Sequence, residues 1–192
     1  MKFALNLLLL VLPALSMGEG GAEISTQPAR VVQFHEDLLA MSDLETQGER
    51  EAFIKARVQS LFDIERIARV SLGRSWRKLD EESQDQFVAL LFDHVVATYA
   101  DRFDENRGQE FELYDTRSVR NGVVVESAVK PVDGKPVKLD YFFREDRVFN
   151  VAADGVSDLS LRRADYNSVL KEQGFEALIV HLEQKLDEIR QE

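Results

Sequence analysis

Apolar positions along this chain change their period twice. From Pro28 onward Val31, Phe34, Leu38 and Met41 recur every three or four residues, the signature of one face of an α-helix, with Ser25 or Thr26 available as its cap. Phe53, Ile54, Val58, Leu61 and Phe62 mark a second helix, and a short third runs from Asp63 to about Val70 and stops near Gly73. The longest extends from about Asp80 to about Asp104. Asp80 is a good N-cap, and Glu81 and Glu82 behind it suit the positive end of the helix dipole. The buried stripe of this helix is Phe87, Leu91, Val95, Tyr99 and Phe103, widened by Val88, Phe92 and Val96, so a large surface must cover it.

From Gln109 the period is two. Phe111, Leu113 and Asp115 alternate with Glu112 and Tyr114, Asn121-Gly122 forms a tight hairpin turn, and Val123, Val125, Ser127 and Val129 share one face of the next strand. Pro131 to Pro136, with Asp133-Gly134 inside, makes a second turn. Val137, Leu139, Tyr141 and Phe143 then alternate with Lys138, Asp140 and Arg144, and Glu145-Asp146 turns the chain into Val148 to Ala152. Two helices follow, one from about Ser157 to Gln173 and, after Gly174, one carrying Phe175, Ile179, Leu182, Leu186 and Ile189. This order predicts an α+β fold in which helices pack on one face of a curved antiparallel meander of four strands or slightly more, around an apolar interior.

The N-terminus follows a different logic. Met1-Lys2 precedes an apolar run from Phe3 to Leu15, shorter than the roughly 20 residues that span a bilayer but suited to a secretory signal. Small residues place cleavage after Gly18 or Ala22, so residues 1–22 are expected to be a signal peptide and 23–192 a single exported domain; an uncleaved N-terminal anchor is the alternative.

Composition narrows the function. At 192 residues and 44% hydrophobic, the chain can build one packed core without staples. The absence of cysteine excludes a disulfide framework, a thiol nucleophile and a Cys-ligated metal. With 35 acidic against 24 basic residues, a net charge of −11 argues against a nucleic-acid partner, which needs a dense basic face. His35, His94 and His181 lack metal-ligand spacing, Ser157 and Ser160 lie in no nucleophile elbow, and no glycine-rich phosphate loop occurs. Asp140 and Asp154 are the best pair of acids, on a strand and in a turn where acids ordinarily face water. An enzyme is therefore not expected, nor a catalytic residue, a metal or a cofactor. Twelve phenylalanines either fill a dry core or line a cavity, and periodicity does not separate these readings.

The stretch Phe62 to Arg77, which includes Leu72-Gly73-Arg74-Ser75-Trp76-Arg77, resembles the MlaC / toluene-tolerance family of periplasmic lipid carriers. So do Phe87, Thr98-Tyr99-Ala100, Leu139-Asp140-Tyr141, Asp154-Gly155-Val156, Ala164-Asp165-Tyr166 and Gly174-Phe175, in the same order across nearly the whole expected domain. Two positions depart: Asp146 and Asn150 stand where family members typically carry Trp and Asp. The segment Ser157-Asp158-Leu159 with Arg162-Arg163-Ala164 leans toward the hopanoid-associated relatives called HpnM.

The resemblance implies a monomeric periplasmic shuttle. It would hold a phospholipid, or a hopanoid, as cargo and pass it between an outer-membrane lipoprotein/porin complex and an inner-membrane ABC transporter complex, in the service of outer-membrane lipid asymmetry. An accessory protein that docks to the transporter without carrying lipid is the alternative. Candidate cavity-lining residues are Phe87, Leu91, Val95 and Tyr99 from the long helix and Val123, Val125, Leu139, Tyr141 and Phe143 from the strands; for each, plain core packing is the competing role. Arg69, Arg74, Arg77 and Lys78 form a basic cluster that would meet either a lipid head group or membrane, or else Glu65, Asp80 and Glu81 in ordinary ion pairs.

Overall fold

A computed structural model of the chain describes residues 26–103 and 108–191. The expected signal segment lies outside the described residues. Four helices come first: α1 (Thr26–Met41), α2 (Gln47–Leu61), α3 (Ile64–Leu72) and α4 (Glu81–Arg102), with a short 3-10 turn, Trp76–Lys78, between the last two. Five strands follow, β1 (Glu110–Val119), β2 (Gly122–Lys130), β3 (Val137–Arg144), β4 (Arg147–Ala153) and β5 (Val156–Ser157), and then α5 (Asp158–Gln173) and α6 (Phe175–Gln191).

Local chemistry accounts for most boundaries. Thr46 and Glu49 form a reciprocal capping box at the start of α2, and the Asp63, Asp80 and Ser157 side chains accept from the backbone N–H three residues on, at the starts of α3, α4 and α5. Gly73 ends α3 at φ +56°, a conformation costly for a residue with a Cβ. In the β1–β2 hairpin a Cβ on Gly122 would stand 2.0 Å from the Phe143 carbonyl oxygen, so glycine is required there.

The strands pair antiparallel in the order β1-β2-β3-β4-β5. The fifth strand goes beyond the four read from periodicity. It is only two residues long, and it forms because Asp154-Gly155, at φ +49° and +81°, makes a two-residue turn of the tight hairpin kind. Bulges interrupt the register between Leu113 and Asp115 and between Phe142 and Phe143, where a sheet bends and twists locally. On the outer face Arg117 pairs with Glu126 at 2.7 Å, and Lys138 reaches both Glu126 (3.6 Å) and Asp140 (3.3 Å). This face is more covered than simple alternation suggests. Val124 and Ala128 are buried there as deeply as Val125 on the inner face, because the long side chains of their cross-strand neighbours Arg117, Phe142, Glu112 and Lys138 close over them.

On the inner face, α1 packs over β1 and β2, and α2, α3 and α5 pack against β4; α4 lies among α2, α3 and α6. The link between α2 and α3 is tied to the sheet by a parallel bridge from Phe62 to Val148 and by the Asp63 N–H donating to the Val148 carbonyl at 2.8 Å. Two features of α2 depart from its apolar pattern. Phe53 is exposed, since the buried face runs through Arg50, Ile54, Val58 and Leu61, one position away. Arg50 is buried in its place, donating to the carbonyl oxygens of Ala100 (2.9 Å), Leu44 (3.1 Å) and Glu45 (3.2 Å), and so satisfies a carbonyl in the last turn of α4.

Candidate functional site

The helix α4 is apolar along one stripe, but its two halves meet different surroundings. Near its start Phe87 is fully buried, edge-on to Tyr166 at 5.7 Å between ring centres and tilted against Phe175 at 6.4 Å, and Leu91 follows one turn later in the same packed layer. Near its end Val95, Tyr99, Arg102 and Phe103 border a cavity of about 900 Å³. That volume is at the upper end of the range of roughly 300–1,000 Å³ seen for small-ligand pockets.

The sheet supplies a second wall through Val129, Leu139, Tyr141, Val151 and Ala153. Leu38, Phe62 and Ile67 contribute from α1, the α2–α3 link and α3, and Leu159 and Leu161 from α5. The lining is mainly apolar. Phe34, itself fully buried, braces three aromatic rings near this wall: Tyr99 at 5.0 Å, Phe62 at 5.5 Å and Tyr141 at 6.4 Å. Val132, Val156 and Leu161 line the cavity while remaining 66%, 55% and 58% exposed, so they mark its opening to solvent.

Several polar groups in or behind the walls are held by hydrogen bonds. The Tyr141 hydroxyl lies 3.0 Å from His35 Nε2, and the His35 ring stacks on Phe111 at 4.0 Å. Burial pulls His35 down from 6.5 to about 4, so it is neutral at pH 7. Burial, reinforced by Arg162 and Lys185, does the same to His94, also to about 4. Thr98 donates to the His94 carbonyl at 2.7 Å. Asn150 Oδ1 accepts from Ser157 Oγ (2.9 Å) and from the Leu159 N–H (3.1 Å), fastening the start of α5 to β4. Arg162 reaches the lining from α5, with Nε donating to Asp158 Oδ2 at 2.6 Å and Nη1 to the Tyr166 hydroxyl at 3.2 Å. Burial works against its charge, but Tyr166 and Asp158 outweigh burial and hold the guanidinium protonated.

Of the nine residues expected to line a cavity, the structure brings Val95, Tyr99, Leu139 and Tyr141 together around this one. The other five do not border it and are buried or partly buried elsewhere. Phe87 and Leu91 lie in the α4–α5–α6 layer just described. Val125 and Phe143, 0% and 1% exposed, and Val123, partly buried, stand toward the other end of the same strands. There α1 and the Phe62 link fill the space, since Phe143 pairs with the Val148 to which that link is bridged. Arg69, Arg74, Arg77 and Lys78 are exposed around the end of α3 and the turn after it, and none borders the cavity. Arg69 meets Glu65 at 4.0 Å in solvent, an arrangement worth about 0–1 kcal/mol. Trp76, by contrast, is buried as a packing residue. Asp140 and Asp154 form no joint site, because Asp140 faces Lys138 on the outer face and Asp154 Oδ1 accepts from the Lys138 N–H at 2.9 Å.

The cationic residues that do border the cavity, Arg102 and Arg162, escaped a search guided by apolar stripes. The available signal was spacing: Arg102 falls three residues after Tyr99, on the same helical face. Among the described residues no cluster of His, Asp and Glu is arranged to hold a metal ion, and no helix is long and apolar enough to cross a membrane.

The fold and its cavity define an α+β protein with helices wrapped over an antiparallel meander and a large apolar chamber between the two. The chain matches the family described as MlaC protein over residues 33–184, and it belongs to that family. It also shares its fold with a phospholipid-binding protein from Ralstonia solanacearum, solved in complex with a phospholipid, at a TM-score of 0.75 and 21% sequence identity, covering 85% of this chain and 98% of that one. Comparison with curated proteins gives no match.

Proposed function

We propose that this protein is a non-enzymatic lipid carrier of the periplasm that shelters the acyl chains of a phospholipid in its cavity and moves the lipid between an outer-membrane partner and an inner-membrane ABC transporter. The observation that carries the reading is the apolar chamber of about 900 Å³ between α4 and the sheet, open past Val132, Val156 and Leu161. Membership of the MlaC family and the phospholipid held by the Ralstonia protein support it.

The physics of the task is simple. Each CH₂ removed from water is worth about 0.8 kcal/mol, so a pair of long acyl chains costs on the order of 20 kcal/mol to expose and does not cross an aqueous space bare. An apolar chamber resembles the bilayer interior, and transfer between them is close to balanced, which makes loading and release reversible. Such work needs no nucleophile, cofactor or nucleotide in the carrier itself. The test is direct: protein purified from the periplasm without detergent, then denatured and extracted, is expected to yield about one lipid per chain by mass spectrometry. An extract without stoichiometric lipid would overturn the carrier reading in favour of an accessory protein that only docks to the transporter.

A further inference from the structure

The chain carries a net charge of −11, yet five cations gather at one place on its surface. Arg69 stands in the last turn of α3, Arg74, Arg77 and Lys78 lie in the turn behind Gly73, and Arg163 comes from α5. The tertiary structure joins them. A Cβ on Gly73 would lie 3.6 Å from the Arg163 guanidinium, and Asn167 Nδ2 donates to the Ser71 carbonyl at 3.0 Å, so α5 brings Arg163 over the end of α3. All five are exposed.

Their charge is not met within the fold. Arg69 has Glu65 at 4.0 Å in solvent, but among the described residues Arg74, Arg77, Lys78 and Arg163 form no ion pair and no side-chain hydrogen bond. The acids around them are engaged otherwise. Asp63 is held by Arg66 at 2.7 Å and Asp165 by Lys185 at 2.9 Å. The Asp80 carboxylate accepts from the Ser83 N–H at 2.9 Å, and Glu81 and Glu82 stand in the first turn of α4, where the helix dipole favours them.

The composition of the cluster decides between two kinds of anionic partner. A protein interface is built around desolvated aromatic or aliphatic anchors. Here Leu72 and Trp76 are buried, and the large apolar residues that the described chain does expose lie elsewhere. A bilayer of acidic lipids needs no such anchor. It presents a diffuse field of phosphates in which each exposed Lys or Arg acts on its own, and four of these five are Arg, whose fork matches phosphate. The net negative remainder of the surface is repelled by the same field, which turns the molecule cluster-first toward the bilayer. Arg163 follows Leu161 by two residues, less than one turn of α5, so docking through the cluster also sets the opening of the chamber beside the lipid surface.

We propose that Arg69, Arg74, Arg77, Lys78 and Arg163 dock the protein reversibly on an anionic bilayer surface. This goes beyond the carrier reading, since the docking surface lies outside the chamber and touches no cargo.

The experiment is co-sedimentation of the exported protein with vesicles of phosphatidylcholine alone or of phosphatidylcholine and phosphatidylglycerol in equal parts. At about 0.1 M salt, where charge acts over about 10 Å, the wild type is expected to partition at least about tenfold more strongly onto the anionic vesicles. At about 1 M salt, where it acts over about 3 Å, the preference should vanish. Each Lys or Arg near such a surface is worth up to about fivefold, so Arg74→Gln, Arg77→Gln and Lys78→Gln combined should abolish the preference and Arg163→Gln alone should lower it about threefold. Arg120→Gln, in the β1–β2 turn, should leave it unchanged. Thermal unfolding should be the same for all these variants, because the replaced cluster side chains make no bond within the described fold. Equal binding to both kinds of vesicle or to neither, a preference that persists at the higher salt, or one that the triple variant retains would overturn the docking surface. So would a wild type that ignores vesicles but binds polyglutamate through the same residues, which would assign the cluster to an acidic protein. None of these outcomes alters the lipid recovered per chain, on which the carrier reading stands or falls.

Discussion

The two halves of α4 present one continuous apolar stripe to very different partners. Toward its start, Phe87 packs against Tyr166 of α5 and Phe175 of α6, and Leu91 is fully buried. Toward its end, Val95, Tyr99 and Phe103 face a chamber. The strands divide in the same way, with Val125 and Phe143 packed and Leu139 and Tyr141 facing the chamber. The contrast teaches that a cavity of this kind is not built from special residues. It is left where equally apolar walls are held apart, here by α1, the Phe62–Val148 bridge and the tie from Asn150 to α5.

The packed half is the easiest to break. Phe87→Ala removes a ring from a layer that cannot collapse fully, and should cost about 3–5 kcal/mol of unfolding free energy in a denaturant titration, with no change in lipid bound per folded molecule. A loss below about 1 kcal/mol would mean that this half too is loosely filled.

Acid comes next. His35 is 4% exposed and its ordinary value of 6.5 falls to about 4 in the folded protein, so the unfolded chain takes up a proton at a higher pH than the folded one. The stability it contributes is therefore complete above about pH 6.5, is lost as pH falls toward 4, and changes no further below that, for a total on the order of 3 kcal/mol. His94, shifted in the same direction, adds to the slope. Unfolding free energies measured from pH 7 to pH 4 should show this decline, and His35→Gln should flatten part of it. A wild-type profile level across that range would show that the imidazole is not shielded by Phe111 and Tyr141.

Two tryptophan substitutions sharpen the division of the sheet. Val125→Trp adds volume to a filled region and should cost about 1–3 kcal/mol. Leu139→Trp grows into the chamber and should cost less than about 1 kcal/mol while displacing cargo, read as lipid per chain. Equal destabilisation by both would erase the distinction between chamber and core. At the bottom of the scale, Arg69→Ala removes only a solvent-exposed pair with Glu65 and should change stability by less than about 0.5 kcal/mol, with lipid content unaffected.

Much of this architecture can be read from local pattern. The helices, their caps at Asp63, Asp80 and Ser157, the Asn121-Gly122 hairpin and the meander all follow from periodicity and turn chemistry, because each depends on residues within a few positions of one another. The short fifth strand is weaker in the sequence, since two residues carry no period, yet Asp154-Gly155 is a hairpin signal in its own right. Arg50 shows the limit of pattern. It occupies a stripe position of α2 as a charged residue, and nothing nearby in the chain reveals that its partner is the Ala100 carbonyl at the far end of α4.

The division between chamber and core lies beyond that limit. By itself the sequence determined which faces of α4, β2 and β3 are apolar, since alternation and helical spacing are properties of each element alone. It also carried the family resemblance in Leu72-Gly73-Arg74-Ser75-Trp76-Arg77 and the segments that follow. Only the tertiary structure decided that Tyr99 and Leu139 border open space while Phe87 and Val125 do not, and that Arg162 rather than Arg74 reaches it. The reason is physical: hydrophobicity fixes which surfaces leave water, but the distance between two such surfaces is set by the lengths of the elements, the bulges that bend the sheet and the ties between remote segments, and none of these is a property of any single stretch of chain.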